Sequence, residues 1–475
     1  MDVSRRGLLL GGLGVVALGA ASAAAATVIT AGASDEPGAA PSGRSSSGTA
    51  SPTSTGSASA SPNAPEDLDL HVWGTVHRPL SKNTDATLTV IDGALAAGLS
   101  ITGTALAGRL TATGDYAFTI EVRRGDDRRR RRFAGTVGAI TRDLSISLSL
   151  DDKTPLSVTA RELDRIARLG AHATLVVLCY IPDATSTTFT RVSDDRIRKV
   201  FALAKDRGVR ITLLKPHIAT EQDGDGFYRA NYAPSSVDGF FSRWTEQMVH
   251  FAGLCADNDI EYLSIACEQP GQTDAALYAK WVDLVETVRS VEPAVNLTAA
   301  FTTLELYLLH TYWLPQGTPH MAQLLDVFGI NSWIRLTDKV YTPSAPNISV
   351  DELAAGWRGA GGRTDDHLGK LEDVCQRLQM PFLITEVGVQ PRVDGLAQQE
   401  GSAPPTGAAN HDVQALLYRS ILKAPLTSSW CTGASIWHMR APFAFGDVYH
   451  DTLFAGEKVL KDAIAKTPSL AAPAT

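Results

Sequence analysis

From Asp143 towards the C-terminus, short and nearly continuous apolar runs alternate with amphipathic segments of helical period, and they do so eight times. The runs are SISLSL, ATLVVLCYI, ITLLKPHI, EYLSIACE, VNLTAAF, DVFGINSW, PFLITEVGV and GASIWHM. Between them lie segments such as TARELDRIARLG, SDDRIRKVFALAKDRG, VDGFFSRWTEQMVHFAGLCADN and DAALYAKWVDLVETVRS. Strands without a polar face must be covered on both sides, which a parallel sheet flanked by helices achieves. Eight such units in about 320 residues predict a (β/α)8 TIM barrel of the α/β class over residues 142–466, since that fold takes roughly 250 residues before insertions. A doubly wound open sheet is the alternative. In such barrels the chemistry sits at the C-terminal ends of the strands and in the loops that follow them.

The chain ahead of this region divides by composition. Residues 4–12 read SRRGLLLGG, with Arg5 and Arg6 ahead of an uncharged Gly/Ala/Leu/Val stretch that reaches about Ile29 and small-residue cut sites such as Ala31-Gly32-Ala33. This segment, residues 1–33, resembles a twin-arginine signal peptide, which implies a secreted or cell-surface protein. An uncleaved membrane anchor is the alternative, because the run approaches the ~20 apolar residues that span a bilayer. Membrane contact is then expected only through that anchor. Residues 34–65 are almost entirely Ser, Thr, Ala, Gly and Pro, too poor in apolar surface to offset chain entropy, and read as a flexible linker. Residues 467–475 read as a flexible tail.

Residues 66–141 carry short alternating runs (HVWGTVH, ATLTVIDG, SITGTAL, YAFTIEV) separated by turn residues, the pattern of a small all-β sandwich. The stretch TATGDYAFTIEV resembles immunoglobulin-like and carboxypeptidase-regulatory-like accessory modules, which implies spacing or wall binding. The run Arg128–Arg132, preceded by Asp126 and Asp127, is expected at a hairpin tip as a solvated loop, with attraction to an anionic wall polymer as the sharper reading. Lys plus Arg is 43 against 51 Asp plus Glu, a net charge of −8, which argues against a general polyanion binder and against nucleic acid as partner. The five cysteines, Cys179, Cys255, Cys267, Cys375 and Cys431, are odd in number and widely spaced, so no disulfide framework follows from them.

Two strand ends carry acids: LSIACEQPG puts Glu268 directly after the fourth apolar run, and PFLITEVGV puts Glu386 after the seventh. A single strand-end Glu is as readily a salt-bridge or capping residue. Two facing one barrel mouth suit a glycosidase, in which one carboxyl stays protonated to assist the leaving oxygen while the other attacks the anomeric carbon. No HExxH, GxSxG or GxxxxGK motif occurs. The segment DGDG at 223–226 lacks the glutamate of a calcium loop and is expected to be a surface turn. No metal and no organic cofactor is expected, since hydrolysis by two carboxylates needs neither. The loop GSAPPTGAAN, Gly401–Asn410, follows the seventh run and is expected beside the mouth.

These residues resemble the retaining glycoside hydrolases of clan A, most nearly the β-mannan-active barrels of glycoside hydrolase family 113. The likeness lies in LLKPHI (Leu213–Ile218), DGFYR (Asp225–Arg229), EYLSIACE, FGINSW and ITEVGV, and spans roughly Asp143–Arg440. It implies Glu268 as general acid/base and Glu386 as nucleophile, with retention of configuration and carboxyl groups ~5–5.5 Å apart. It also implies a sugar-binding set: Lys215 and His217 closing strand three, with His217 bonding a sugar hydroxyl or orienting Glu268, Asn331 and Trp333 ending strand six, and Trp437 ending strand eight as a stacking platform. Two positions depart from the pattern. Cys267 stands where relatives carry Asn or Thr, and Trp333 where they usually carry a Tyr, whose phenolic oxygen is then missing beside the nucleophile. The expected activity is hydrolysis of a β-linked polysaccharide or oligosaccharide, mannan-type favoured, with cell-wall glycan as a possible partner class. The alternative is a catalytically weakened barrel that binds glycan at the cell surface.

Overall fold

The computed structural model describes residues 65–466 apart from 69, 140–141, 361–364 and 399–404. The expected signal peptide, nearly all of the linker, and the tail lie outside the described residues, as do the first four positions of the Gly401–Asn410 loop. Among the described residues no helix is long and apolar enough to cross a membrane.

Six strands come first: β1 (Thr75–Pro79), β2 (Thr87–Ala94), β3 (Leu99–Thr102), β4 (Ala105–Arg109), β5 (Gly114–Arg124) and β6 (Asp127–Val137). They form two antiparallel sheets, ordered β1-β4-β3 and β2-β5-β6. Tyr116, Phe118 and Ile120 alternate inward along β5 and meet Leu106, Leu110 and Phe133 in one core. The six strands among the described residues are fewer in total than an immunoglobulin-type domain carries, so that likeness stops at the two-sheet arrangement.

The arginine run is not a loop. Arg128–Arg132 lies within β6, in register with Thr119–Arg123 of β5, and the tip is the two-residue turn Gly125-Asp126. Gly125 takes φ 57°, as a tight hairpin turn requires, and this brings Asp127 into the ladder opposite Arg124.

Each of the eight apolar runs forms one parallel strand: β7 (Asp143–Leu150), β8 (His172–Ile181), β10 (Ile211–Thr220), β11 (Tyr262–Cys267), β12 (Asn296–Phe301), β13 (Phe328–Asn331), β14 (Phe382–Val387) and β15 (Cys431–Ile436). A two-residue strand, β9 (Thr190–Arg191), pairs with the end of β8. β8 pairs with β10, and β15 pairs back onto β7 from Gly433↔Asp143 to Ile436↔Ile146, so the sheet closes as a (β/α)8 barrel rather than lying open.

The helices are α1 (Leu156–Leu169), α2 (Asp194–Lys205), α3 (Val237–Asp257), α4 (Tyr278–Val291), α5 (Thr303–Leu308), α6 (Val350–Gly356), α7 (His367–Leu378), α8 (Asp412–Lys423) and α9 (Ala455–Lys466). Their starts follow ordinary capping chemistry, with Ser193 accepting from Arg196 N–H and Thr302 forming a reciprocal capping box with Glu305. α1 buries Leu163, Ile166 and Leu169 and ends at Gly170, φ 72°. A buried ion pair between Arg165 on α1 and Glu457 on α9 joins the first and last helices.

Inside the barrel, Leu213, Val327 and Leu383 form an apolar layer. Towards the C-terminal strand ends the lining turns polar, through Ser147–Ser435 (2.8 Å), Lys215, Asn331 and Thr385. Gly329 is required here, because a Cβ would meet Ala299 O at 2.3 Å.

The small domain grips the opposite end. Arg109 donates to Leu325 O (2.7 Å) and Gln379 O (3.0 Å), carbonyls that lie just before β13 and β14, and Trp73 stacks on Trp430, just before β15, at 4.4 Å. These contacts are at the N-terminal strand ends and leave the mouth free. Replacing both Trp73 and Arg109 by Ala should cost about 3 kcal/mol, from two hydrogen bonds of a charged donor and one stacked aromatic pair. Thermal unfolding followed by tryptophan fluorescence measures it, and an unchanged midpoint would mean that the two parts do not stabilise one another.

Candidate active site

β10 is buried along its whole length, so its period of two aims Lys215 and His217 at the same side, into the barrel. The Lys215 ammonium, with no exposed surface, donates to Glu386 Oε1 (2.5 Å) and Asn331 Oδ1 (3.0 Å). Lysine has only donors, so this contact fixes the Asn331 amide with its oxygen towards Lys215. Thr385 Oγ1 donates to the same oxygen (2.8 Å), and the amide Nδ2 then donates to Glu268 Oε1 (2.9 Å). Glu268 and Glu386 are thus joined through one amide and one ammonium.

Glu268 follows β11 with φ 53°, the left-handed region a non-glycine residue rarely takes. Its N–H bonds Ala300 O at 2.9 Å, and its carboxylate is held on the other side by Arg229 Nη2 (2.9 Å). Such strain persists only where the surroundings over-determine it. Arg229 comes from the loop after β10, as does Asp225, which accepts from Arg229 Nη1 (3.2 Å), from the His217 ring at Nδ1 (2.7 Å) and from Ser149 Oγ (3.2 Å).

His217 therefore does not orient Glu268 and reaches no free surface. It is fully buried, its Nδ1–H faces the Asp225 carboxylate, and its Nε2 accepts from the Cys267 thiol at 3.3 Å. The acid near its Nε2 is Glu386, at 3.5 Å. Trp333 likewise departs from expectation: its indole Nε1–H donates to Glu386 Oε2 (3.1 Å), supplying a donor where a phenol was missed.

Burial pushes the Glu268 carboxyl up, but the Arg229 guanidinium and then the Asn331 amide outweigh it and hold it below the ordinary carboxylate range. Loss of water raises the partly buried Asp225 carboxyl, but the hydrogen bond from the His217 ring and the Arg229 guanidinium outweigh this and hold it well below its usual value. Burial lowers the His217 imidazole, with Arg229 adding to the effect, and pushes the Cys267 thiol far up, so both are neutral. Another buried acid, Glu305 on α5, is pushed up to about 7 by burial against hydrogen bonds from Thr273 and Thr302. Ligand atoms of His217, Cys267 and Glu386 lie within 4.8 Å of one another, a spacing that suits a metal ion. Yet the Lys215 ammonium sits 2.5 Å from the Glu386 oxygen, where a second cation would be repelled.

Trp437 stacks against His438 (4.5 Å) and His217 (6.1 Å) and meets Trp333 edge-on (6.5 Å). At 9% exposure it offers a strip of ring rather than an open platform. Beside Trp333 a cavity of ≈ 360 Å³ opens between α5, the segment after β13 and the start of α7, lined among others by Leu304, Tyr307, Arg335 and Lys370. The DGDG turn divides its acids: Asp225 turns inward as described, and Asp223 accepts from Thr220 Oγ1 at 2.9 Å.

The structure thus brings Glu268, Glu386, Lys215, His217, Asn331, Trp333 and Trp437 to one barrel mouth. It adds Arg229, Asp225 and Thr385, which sequence reasoning missed as site residues. The signal for two of them was present, in the DGFYR phrase that places an acid and a base at i and i+4 in the loop after strand three.

No protein-family model matches the sequence, and no curated protein matches it. Among solved structures it is similar to the family 113 β-mannanase of Alicyclobacillus acidocaldarius in complex with ManMIm, with a TM-score of 0.52, 18% identity, and 69% of this chain and 98% of that one covered. A family 113 β-1,4-mannanase complex gives a TM-score of 0.48 at 18% identity over 68% and 98% of the two chains. A β-glucuronidase of Ruminococcus gnavus in complex with D-glucaro 1,5-lactone gives 0.46 at 12% identity over 80% and 62%. What this chain shares with the first of these is the barrel fold.

Glu268 and Asp225 titrate below their ordinary values in the folded protein, so their pairing with Arg229 contributes stability that is fully present above the unfolded carboxylate range, about pH 4, and is lost as pH falls through the folded values. Arg229→Gln should therefore cost about 3 kcal/mol near neutral pH, the scale for breaking a buried pair. The difference from the parent should shrink below about pH 4. Unfolding midpoints at several pH values check this, and an equal loss at acid and neutral pH would exclude the ionic account.

Proposed function

We propose that the protein is a retaining glycoside hydrolase acting on a β-linked polysaccharide or oligosaccharide, with mannan-type chains favoured. The observation that carries this reading is the pair Glu268 and Glu386, directly after the fourth strand and on the seventh strand of a closed barrel, linked through Asn331 and Lys215. The fold shared with a β-mannanase supports it. In the reaction proposed, the Glu386 carboxylate attacks the anomeric carbon while the glycosidic C–O bond breaks and Glu268 gives its proton to the leaving oxygen. Glu268, now ionised, takes a proton from water, whose oxygen attacks the glycosyl ester and releases a product of retained configuration. Lys215 on Oε1 and Trp333 on Oε2 orient the nucleophile. Export through the twin-arginine-like segment, which would bring the enzyme to extracellular or wall glycan, belongs to the same proposal.

Incubation with β-mannan, cellulose and xylan oligosaccharides tests the reading. Hydrolysis of at least one should fall by about three orders of magnitude or more in Glu386→Ala, since the step loses its nucleophile. Proton NMR of the first product should show the substrate's anomeric configuration. Binding without product from every substrate would instead favour the glycan-binding alternative, and inverted product would refute Glu386 as nucleophile.

Because Arg229 holds Glu268 ionised and the first step needs it protonated, activity should decline as pH rises out of the acidic range. Arg229→Gln should move that basic limb upward by about one pH unit, the lower end of what removing an adjacent opposite charge does. A pH profile of kcat/KM reads this directly. A limb that stays in place would remove Arg229 from control of the proton.

A further inference from the structure

The arginine row on β6 plays no part in the barrel chemistry. Since Phe133 and its β5 partner Phe118 point into the core, residues two apart from them point the same way, and Arg128, Arg130 and Arg132 stand on the outward face of the β2-β5-β6 sheet. Arg123 of β5 is on that face too, directly across from Arg128. Like charges in directly opposed positions destabilise a sheet, so this arrangement costs stability. Of the four, Arg130 has an acid near it, Glu121 at 3.7 Å. Among the described residues no ion pair ties Arg123, Arg128 or Arg132 to an acid. The arginines of the other face differ: Arg131 pairs with Glu66 at 2.7 Å and Arg129 with Asp127 at 3.4 Å.

All four arginine side chains are exposed on the sheet. Those of β6 recur about every 7 Å, the two-residue repeat of a strand. The same face carries the acids Glu121, Asp115 and Asp92, across from Arg130, Thr136 and Thr119, so in a chain of net charge −8 the positive charge is concentrated in the β6 row and at Arg123. Thr119 and Ala117 occupy the same face, and it has no aromatic ring on β5 or β6 on which a nucleobase could stack.

We propose that this face binds an extended acidic polysaccharide, its carboxylates paired with the arginine row. The carboxylate–guanidinium match is bidentate and planar. A polymer with regularly repeated anionic groups engages several arginines at once, which a small anion does not. The surface is separate from the barrel mouth and does not depend on the reaction proposed there.

The full chain is tested by affinity electrophoresis through gels containing polygalacturonate, with neutral dextran as the uncharged control, at low and at physiological salt. Retardation should be specific to polygalacturonate and weaken about tenfold or more as salt screens the contacts. Arg128→Gln/Arg130→Gln/Arg132→Gln should weaken it about tenfold, and the triple Lys variant, which keeps the charge, should retain most of it. All three positions are exposed, and circular dichroism verifies that the variants fold. No retardation at low salt, or undiminished retardation of the Gln variant, would overturn the proposal. So would equal affinity for double-stranded DNA, which would make the face a general polyanion site. If the Gln variant binds as before but forms higher oligomers on gel filtration, the row is a guard on the β6 sheet edge and the proposal also fails.

Discussion

The mouth of the barrel depends on one continuous line of buried charged and polar groups. It runs from Glu386 through Lys215 and Asn331 to Glu268, then through Arg229 and Asp225 to His217. Removing such charges from water costs several kcal/mol each, and their mutual attraction offsets that only where geometry is good and the remaining lone pairs are occupied. Here each member meets more than one neighbour. The line also draws on strands three, four, six and seven and the loop after strand three, so its geometry is correct only when the barrel has closed. Polar networks of this kind specify one arrangement rather than adding much net stability.

The scaffold below and around the line is built to keep it in place. The apolar layer of Leu213, Val327 and Leu383 closes the lumen under Lys215. Gly329 lets β13 approach β12 closely, and β13 ends at Asn331, the residue that joins the two acids. Glu268 is turned towards the mouth by a left-handed backbone that its neighbours hold from three sides. Because the small domain is fixed to the other end of the strands by Arg109 and Trp73, neither obstructs this opening.

The barrel was readable because its strands are buried on both faces, so each of them is an apolar run with a sharp end. Glu268 and Glu386 were readable for the same reason, as acids that interrupt such runs. Loop residues carry no such mark. The DGFYR phrase shows an acid and a base four apart, but not that folding brings Arg229 to 2.9 Å from Glu268. His217 was rightly placed at a strand end, but its partners come from β11 and from the following loop, and a pattern along one strand does not encode which neighbour it meets. Trp333 was read as a loss because the expected donor was an oxygen, whereas the indole nitrogen reaches the same carboxylate. The arginine run misled through charge: repulsion suggests a solvated loop, but alternation along a strand also sends side chains to water, and the Gly125-Asp126 turn had already supplied the tip.

The charge on the line also gives the proposed acid/base residue a reason to change role. Glu386, Glu268 and Asp225 set three carboxylates against the two cations Lys215 and Arg229, with His217 neutral. While Glu386 is ionised, the group has an excess negative charge, which partly offsets the hold of Arg229 on Glu268 and eases the protonation that the proposed first step needs. That same excess favours the positive character that develops at an anomeric carbon. Once Glu386 is esterified, its charge is gone and Lys215 and Arg229 face two carboxylates. In the proposed reaction, protonating Glu268 at that stage would leave a buried cation uncompensated, so Glu268 would stay ionised, as the base that activates water must be. The switch needs no movement of the side chain, only the disappearance of one charge at the other end of a hydrogen-bonded line.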